Sequence, residues 1–261
     1  MSIRVVALAA LCIGAGNVLA EPAPAAISGF NAYSGMVESR LERQHNSGNF
    51  LVSTDGRRLH SGDLVVEHVV ESGAASGNPP GALLHHWRGT AFAPGAHAAD
   101  FLRLMRDFDS YPRHFSPEVV TAHTVSRQGD RGDHIQATMR IRQHHVITVV
   151  MDTAYDVTFT PMDALRGYSV SRSTRVTEVD SPGTPKEHAL SPSDEHGFMY
   201  RLNTYWSYEE RDGGLYLQVE AVSLSRSIPM GLGWAVGPYV QSIPRESLEF
   251  TLKSVTNALR G

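Results

Sequence analysis

Six runs of strand-like alternation, closed by one amphipathic helix, restrict this chain more than any other feature. The runs are "EVVTAHTVSRQ", "HIQATMRIRQ", "VITVVMDTAYDVTFT", "GYSVSRSTRVTEV", "RLNTYWSYEER" and "LYLQVEAVSLSR". Turn signals separate them: "GDRGD", "TPMDALRG", the long "DSPGTPKEHALSPSDEHG" and the tight "RDGG". Asp212-Gly213 between two alternating runs is a strong hairpin signal. Successive strands joined by such turns pair antiparallel. The closing segment, Pro244 to Leu259, begins with Pro244 at a first helical position and Glu246 in the first turn. Leu248, Leu252, Val255 and Leu259 form one apolar stripe. Such a helix is about 24 Å long, and its stripe needs a surface. The nearest is the concave face of the sheet.

Before the six runs, "ALLHHWRGTAF" reads as a strand and "HAADFLRLMRDFDSYPRHF" as one or two short helices broken near Tyr111-Pro112. The expected fold class is α+β: a curved antiparallel sheet of about seven strands around a long C-terminal helix.

That order of elements resembles the START-like, helix-grip (SRPBCC) superfamily, which includes polyketide cyclases and birch-pollen-allergen-like proteins. The residues that carry the resemblance are "FAPGAHAADFLRLMRDFDSYPRHFSPEVV" (Phe92 to Val120), "DEHGFMYRLNTYWSYEERDGG", and "GLYLQVEAVSLSRSIP" with the loop and helix after it. The match covers roughly residues 82–261. It implies an apolar cavity between sheet and helix. It does not imply one activity, because members range from lipid carriers to cyclases.

The N-terminus reads as a secretory signal over residues 1–20. Arg4 supplies the positive end, Val5 to Gly16 the apolar stretch, and Val18-Leu19-Ala20 the small-residue cleavage site. The alternative is an uncleaved N-terminal anchor. Cleavage after Ala20 would remove Cys12, the one cysteine. The mature chain would then have no disulfide, no cysteine–zinc site and no thiol nucleophile. It would be periplasmic or secreted, without a transmembrane segment. Residues 21–80 read as an N-terminal extension. It holds a helix from about Gly29 to Gln44, with Ser28 as N-cap, a short strand in "DLVVEHVV" and the linker "ESGAASGNPPG". Residues 81–261 form the helix-grip domain. The formal net charge of −4 gives no support to nucleic-acid binding.

Motifs for chemistry are sparse. "GLGWAVGP" lacks the glycine spacing of a dinucleotide fingerprint, and no Walker lysine or Gly-x-Ser-x-Gly elbow occurs. His85-His86 and His144-His145 are adjacent pairs. Neighbours on a strand point to opposite faces, so neither pair supplies two ligands to one ion. No metal and no cofactor is called for. Ser223, Ser225 and Ser227 alternate on one face of the last strand and read as a polar lining or sheet surface. Asp152 and Asp156 lie opposite the more apolar row Met151, Thr153, Tyr155, Val157 and Phe159, and read as solvated.

The reading that follows is a carrier for a hydrophobic or amphipathic, lipid-like small molecule. Tyr155, Tyr168, Trp206, Trp234 and Phe250 are candidate apolar walls. Arg172, Glu220 and Arg226 are candidate polar anchors. An inward charge must pair with another charge or hold an anionic group. Outward side chains in cross-strand pairs are the alternative, and one bulge would swap the faces. Met230, Leu232, Trp234, Val236 and Tyr239, in a glycine-rich loop before the helix, would close the cavity. A cyclase or aromatase using a cavity Tyr, His or Glu, and an interaction module with a filled core, are the rival functions.

Overall fold

The computed structural model describes residues 21–52, 55–71, 77–129, 132–144, 147–227 and 233–260, the last helix by backbone alone over 233–241. The signal segment and Cys12 lie outside these residues, as do Met230, Gly231 and Leu232. Helix α1 (Pro24–His45) and the short α2 (Gly56–His60) lead into strands β1 (Val65–His68) and β2 (Ala82–Pro94). Helix α3 (Ala98–Arg106), a 3-10 turn (Phe108–Ser110) and α4 (Tyr111–His114) follow. Then come β3 (Val119–Gln128), β4 (His134–His144), β5 (Thr148–Pro161), β6 (Arg166–Asp180), β7 (His188–Ala189), β8 (Arg201–Arg211), β9 (Gly214–Arg226) and α5 (Gly233–Ala258).

This is the helix-grip architecture: a large, curved, unclosed antiparallel sheet with the C-terminal helix against it. The sheet has nine strands rather than about seven, in the order β1-β2-β9-β8-β6-β5-β4-β3, with β7 attached to β6. The extra strands are β7, a two-residue piece that alternation detects poorly, and β1, the short strand expected in "DLVVEHVV" of the N-terminal extension, which pairs with β2 and so joins the sheet. The β8–β9 turn is made by Asp212 (φ 56°) and Gly213 (φ 76°). Two left-handed residues in succession match the twist of a tight hairpin.

Two helix boundaries differ from expectation. Helix α1 begins at Pro24, with no side-chain cap. Proline at a first helical position loses nothing, because that N–H has no helical partner. Helix α5 begins at Gly233, so Pro244 sits inside it. The start signal at Pro244 is instead an interior proline, tolerated at the loss of one backbone hydrogen bond. The stretch expected as a cavity-closing loop is therefore helical from Gly233 onward.

The sheet buries both faces. On the concave face Leu248, Leu252 and Val255 of α5 join one core with Ala91, Tyr155, Val157, Phe159, Trp206, Leu217 and Val219. Gly89 of β2 lies directly beneath Leu252, where a Cβ would collide with the leucine. Helix α5 therefore approaches β2 closely. On the opposite face Ala26, Phe30, Tyr33, Val37 and Leu41 of α1 pack on Ala82, Tyr205, Val222 and Leu224. Those α1 positions recur at helical spacing, so one stripe buries them together.

Candidate functional site

The concave face is built by alternation. On β5 the row Met151, Thr153, Tyr155, Val157 and Phe159 is buried, as the sequence predicts. Its neighbour β6 presents Ser169 opposite Phe159, Ser171 opposite Val157 and Ser173 opposite Tyr155. Across β6, Trp206 of β8 pairs with Ser169, Thr204 with Ser171, and Tyr208 with Gly167. An aromatic and aliphatic floor thus carries a row of three small hydroxyls. The Ser173 hydroxyl accepts from the Leu202 N–H at 2.9 Å. Among the described residues, those of Ser169 and Ser171 make no side-chain hydrogen bond. Tyr208 is 1% exposed, and its hydroxyl is buried without a partner among the described residues. Its ring lies across Gly167, where any side chain would strike the phenol. At the far end of the face His85, also buried, reaches Ser225 Oγ at 3.1 Å.

The upper end of β6 is closed by a carboxylate. Buried Glu178 accepts N–H groups from His196, Gly197 and Phe198 at 2.8–2.9 Å, with His196 Nδ1 also 2.9 Å away. Three backbone donors and one ring nitrogen occupy this carboxylate, which ties the connection before β8 to the sheet. It is a structural anion with little capacity left for a ligand.

The opposite face carries the charges. Glu220 of β9 is 1% exposed. Arg40 of α1 reaches it with both terminal nitrogens, Arg88 Nε donates at 2.8 Å and His86 Nε2 lies at 2.8 Å. The cluster extends through Arg40 to Glu71 at 2.6 Å, through Arg88 to Glu67 at 3.0 Å, and through His86 Nδ1 to Tyr33 Oη at 3.0 Å. Burial alone would push the Glu220 carboxyl up. The hydrogen bond from His86 and the charges of Arg88 and Arg40 outweigh it and hold the group well below the usual range. Glu71, His86 and Glu220 bring ligand atoms within 4.8 Å of one another. Two guanidinium groups already share the Glu220 oxygens, so a cation there would face like charge.

The eight expected site residues separate into two sets. Tyr155 and Trp206 lie in the concave core, with half-buried Phe250 packed beside it. Tyr168, Arg172, Glu220 and Arg226 fall on the opposite face. Tyr168 stacks on His45 of α1 at 4.3 Å. Arg172 makes a two-pronged pair with Glu38 at 2.8 and 2.9 Å. Arg226 ends β9, its N–H bonded to the Gly197 carbonyl at 2.8 Å. The Trp234 side chain lies outside the described residues. The phase of β6 explains part of the split. A register shift opposite Ala154/Tyr155 moves Val176 onto the concave side while leaving Arg172 on the convex one.

Other polar residues also resolve. Asp152 takes two bonds from Arg140 at 2.7 and 2.8 Å, and Asp156 meets His134 at 2.7 Å, so both are cross-strand partners rather than merely solvated. His85 and His86 point to opposite faces, as adjacency requires, yet both are buried rather than solvent-facing. What the sequence reading missed is the serine row. Its signal was present in "YSVSRS", whose complementary row Tyr168, Val170 and Arg172 drew attention instead.

Two clefts open elsewhere on the surface. One of about 190 Å³ lies between the end of α1 and the β5–β6 turn, lined by Glu42, His45, Thr160, Met162 and Tyr168. The other, of about 290 Å³, lies beside the β8–β9 turn between His97, Leu165, Glu210 and Gly213. No helix among the described residues is long and apolar enough to cross a membrane.

Burial sets three titrations. It pushes His45 and His85 each down to about 4, the second helped by His68. It pushes the Glu118 carboxyl up to about 7. A depressed histidine leaves the unfolded chain holding more protons, so stability falls as pH drops from about 6.5 through 4. The loss should be on the order of 2 kcal/mol per histidine. Glu118 acts oppositely, removing stability as pH rises from about 4.5 to 7. Urea titrations between pH 4 and 7.5 should show a steeper acid loss in Glu118→Gln than in the parent chain. A shallower acid loss in the variant would contradict these assignments.

No family model matches this chain, and no curated protein does. Solved structures do resemble it. Protein TTHA0849 from Thermus thermophilus is 14% identical, with TM-score 0.47, covering 66% of this chain and 94% of that one. A STAR-related lipid transfer protein from Xanthomonas axonopodis is 18% identical, with TM-score 0.43, covering 74% and 99%. The Zhui aromatase/cyclase from Streptomyces sp. R1128 is 13% identical, with TM-score 0.42, covering 68% and 92%.

Proposed function

We propose that this chain is an exported binding protein that holds a hydrophobic or amphipathic small molecule between the concave face and helix α5. One observation carries the reading. The concave floor combines large apolar side chains with hydroxyls that the described residues leave unpartnered, above all Tyr208. A buried polar group without a partner costs roughly 1–3 kcal/mol. A ligand that supplies the partner recovers this, and pockets that bind small molecules join apolar walls to a few such groups. Tyr155, Trp206 and Phe250 would form the walls. The charged residues of the opposite face would serve α1 rather than a ligand.

The test uses the mature chain, purified from its producing cells, in native mass spectrometry. Copurified hydrophobic molecules are expected. Ser171 is half-buried at the centre of the hydroxyl row. Ser171→Trp would place an indole on the concave side of β6 and should lower bound material at least 10-fold, with circular dichroism unchanged. Full retention of ligand in the folded variant would place binding elsewhere. An intact mass beginning at Glu21 would support export, and retention of Met1 to Ala20 would refute cleavage there.

A further inference from the structure

We propose that the cleft at the carboxyl-terminal end of α1 binds a small organic ammonium ion with a short apolar body. The cleft lies on the convex side, so its occupancy stands or falls separately from binding on the concave face.

The cleft has a volume of about 190 Å³. The last turn of α1 supplies Glu42 and His45, β5 supplies Thr160 and Pro161, the turn after it Met162, and β6 Tyr168. Thr160 and Tyr168 are cross-strand partners, so their side chains stand side by side. The wall they share with α1 is held in place. The His45 ring stacks on Tyr168 at 4.3 Å, and its Nε2 lies 2.8 Å from Ser207 Oγ. Burial keeps this histidine neutral at pH 7, so it adds no positive charge to the cleft.

The charge of the cleft is negative and unanswered. Glu42 stands in the last turn of a 22-residue helix, where the negative end of the helix dipole disfavours a carboxylate and favours a cation. Its carboxylate nevertheless makes no ion pair or hydrogen bond among the described residues. The arginines of the surrounding elements are committed: Arg172 to Glu38, Arg166 to Asp163, and Arg40 to Glu71 and Glu220. Arg43, the next residue along α1, does not line the cleft, since successive side chains diverge around a helix. The hydroxyls of Thr160 and Tyr168 also lack a side-chain partner among the described residues. An alkylammonium carries three N–H donors and no acceptor, which matches one carboxylate and two hydroxyl oxygens. Its apolar body would lie against Tyr168, Pro161 and Met162. A bare metal ion fits worse, because a single carboxylate offers too few hard oxygen ligands.

The probe is benzylammonium at pH 7, set against benzyl alcohol and benzoate. Each is titrated into the isotopically labelled mature chain, and backbone amide shifts are followed by nuclear magnetic resonance. Amides of residues 42–46 and 160–168 should move and saturate with benzylammonium, at a concentration about 10-fold lower than with either competitor. Glu42 is exposed, so Glu42→Gln should leave the rest of the spectrum unchanged and weaken the ammonium about 10-fold. Tyr168→Phe keeps the stacked ring and should weaken it less. Equal saturation by benzyl alcohol would overturn the charge assignment, and undiminished binding in Glu42→Gln would remove the carboxylate from it. Shifts confined to the concave rows of β5, β6 and β8 would move the amine to the other face and refute this site. The same shifts with sodium chloride alone, or no saturable response, would refute it as well.

Discussion

Replacing Glu220 with alanine should cost about 3–5 kcal/mol, enough to leave much of the population unfolded near body temperature. The substitution strands two positive charges. Arg88 would keep Glu67, which is half exposed, and Arg40 would keep Glu71 and a long bond to the neutral Gln44. Both guanidinium groups are held against the sheet under α1, so water cannot fully replace the lost carboxylate. Compensation should be partial and specific. Changing Glu220, Arg40, Arg88 and Glu71 together to leucine or methionine removes the stranded buried charges and should recover most of the loss, because an apolar cluster of similar volume competes well with a buried ion network. The contrast is Glu38→Ala, which breaks the pair with the substantially exposed Arg172 and one hydrogen bond from the Tyr205 hydroxyl, and should cost about 1–2 kcal/mol. Urea unfolding of the four proteins reads the comparison. If Glu220→Ala unfolds like Glu38→Ala, the cluster does not hold the N-terminal helix.

The second large effect is expected at Leu252. It is fully buried and rests on Gly89, where helix and strand come closest. Leu252→Ala removes the contact and leaves a cavity the backbone cannot fill, at a cost of about 2–5 kcal/mol. Gly89→Val approaches the same joint from the other side. Its branched side chain would force the leucine out of place and should cost about 1–3 kcal/mol by overpacking. Combining the two should be milder than the sum, because each relieves the other. Strict additivity in the double variant would mean that Leu252 and Gly89 do not touch.

The strand runs and the Asp212-Gly213 turn were legible because alternation and turn chemistry are local. So was the buried row of β5, where the apolar residues mark one face without competition. The faces of β6 and β9 were not legible. Helix α1 covers the convex side, so both rows of β9 are buried and both read as partly apolar. A two-sided burial removes the inside–outside contrast on which alternation depends. Glu220 was read as a charge that, once buried, must pair or hold an anionic group; it is buried on the convex face and paired. Its partner Arg40 lies 180 residues away, a pairing that no spacing rule reaches. The serine row failed for a different reason: small hydroxylic residues look unremarkable until their neighbours Trp206 and Tyr208 are placed beside them. The end of the chain misled because Pro244 is a genuine helix-start residue type. The eleven residues before it adopt helix despite their glycines, an outcome local propensity does not favour.

The reach of Arg40 has a consequence for how the molecule comes into being. Helix α1 is synthesised first, yet the carboxylate that neutralises its arginine is supplied by the last strand. Until β9 emerges, the seat of the early helix lacks Val222, Leu224 and the carboxylate of Glu220, and closing so long a loop is slow. The finished topology therefore withholds its own completion: a growing chain stays open through most of its synthesis and locks only when the carboxyl-terminal quarter arrives.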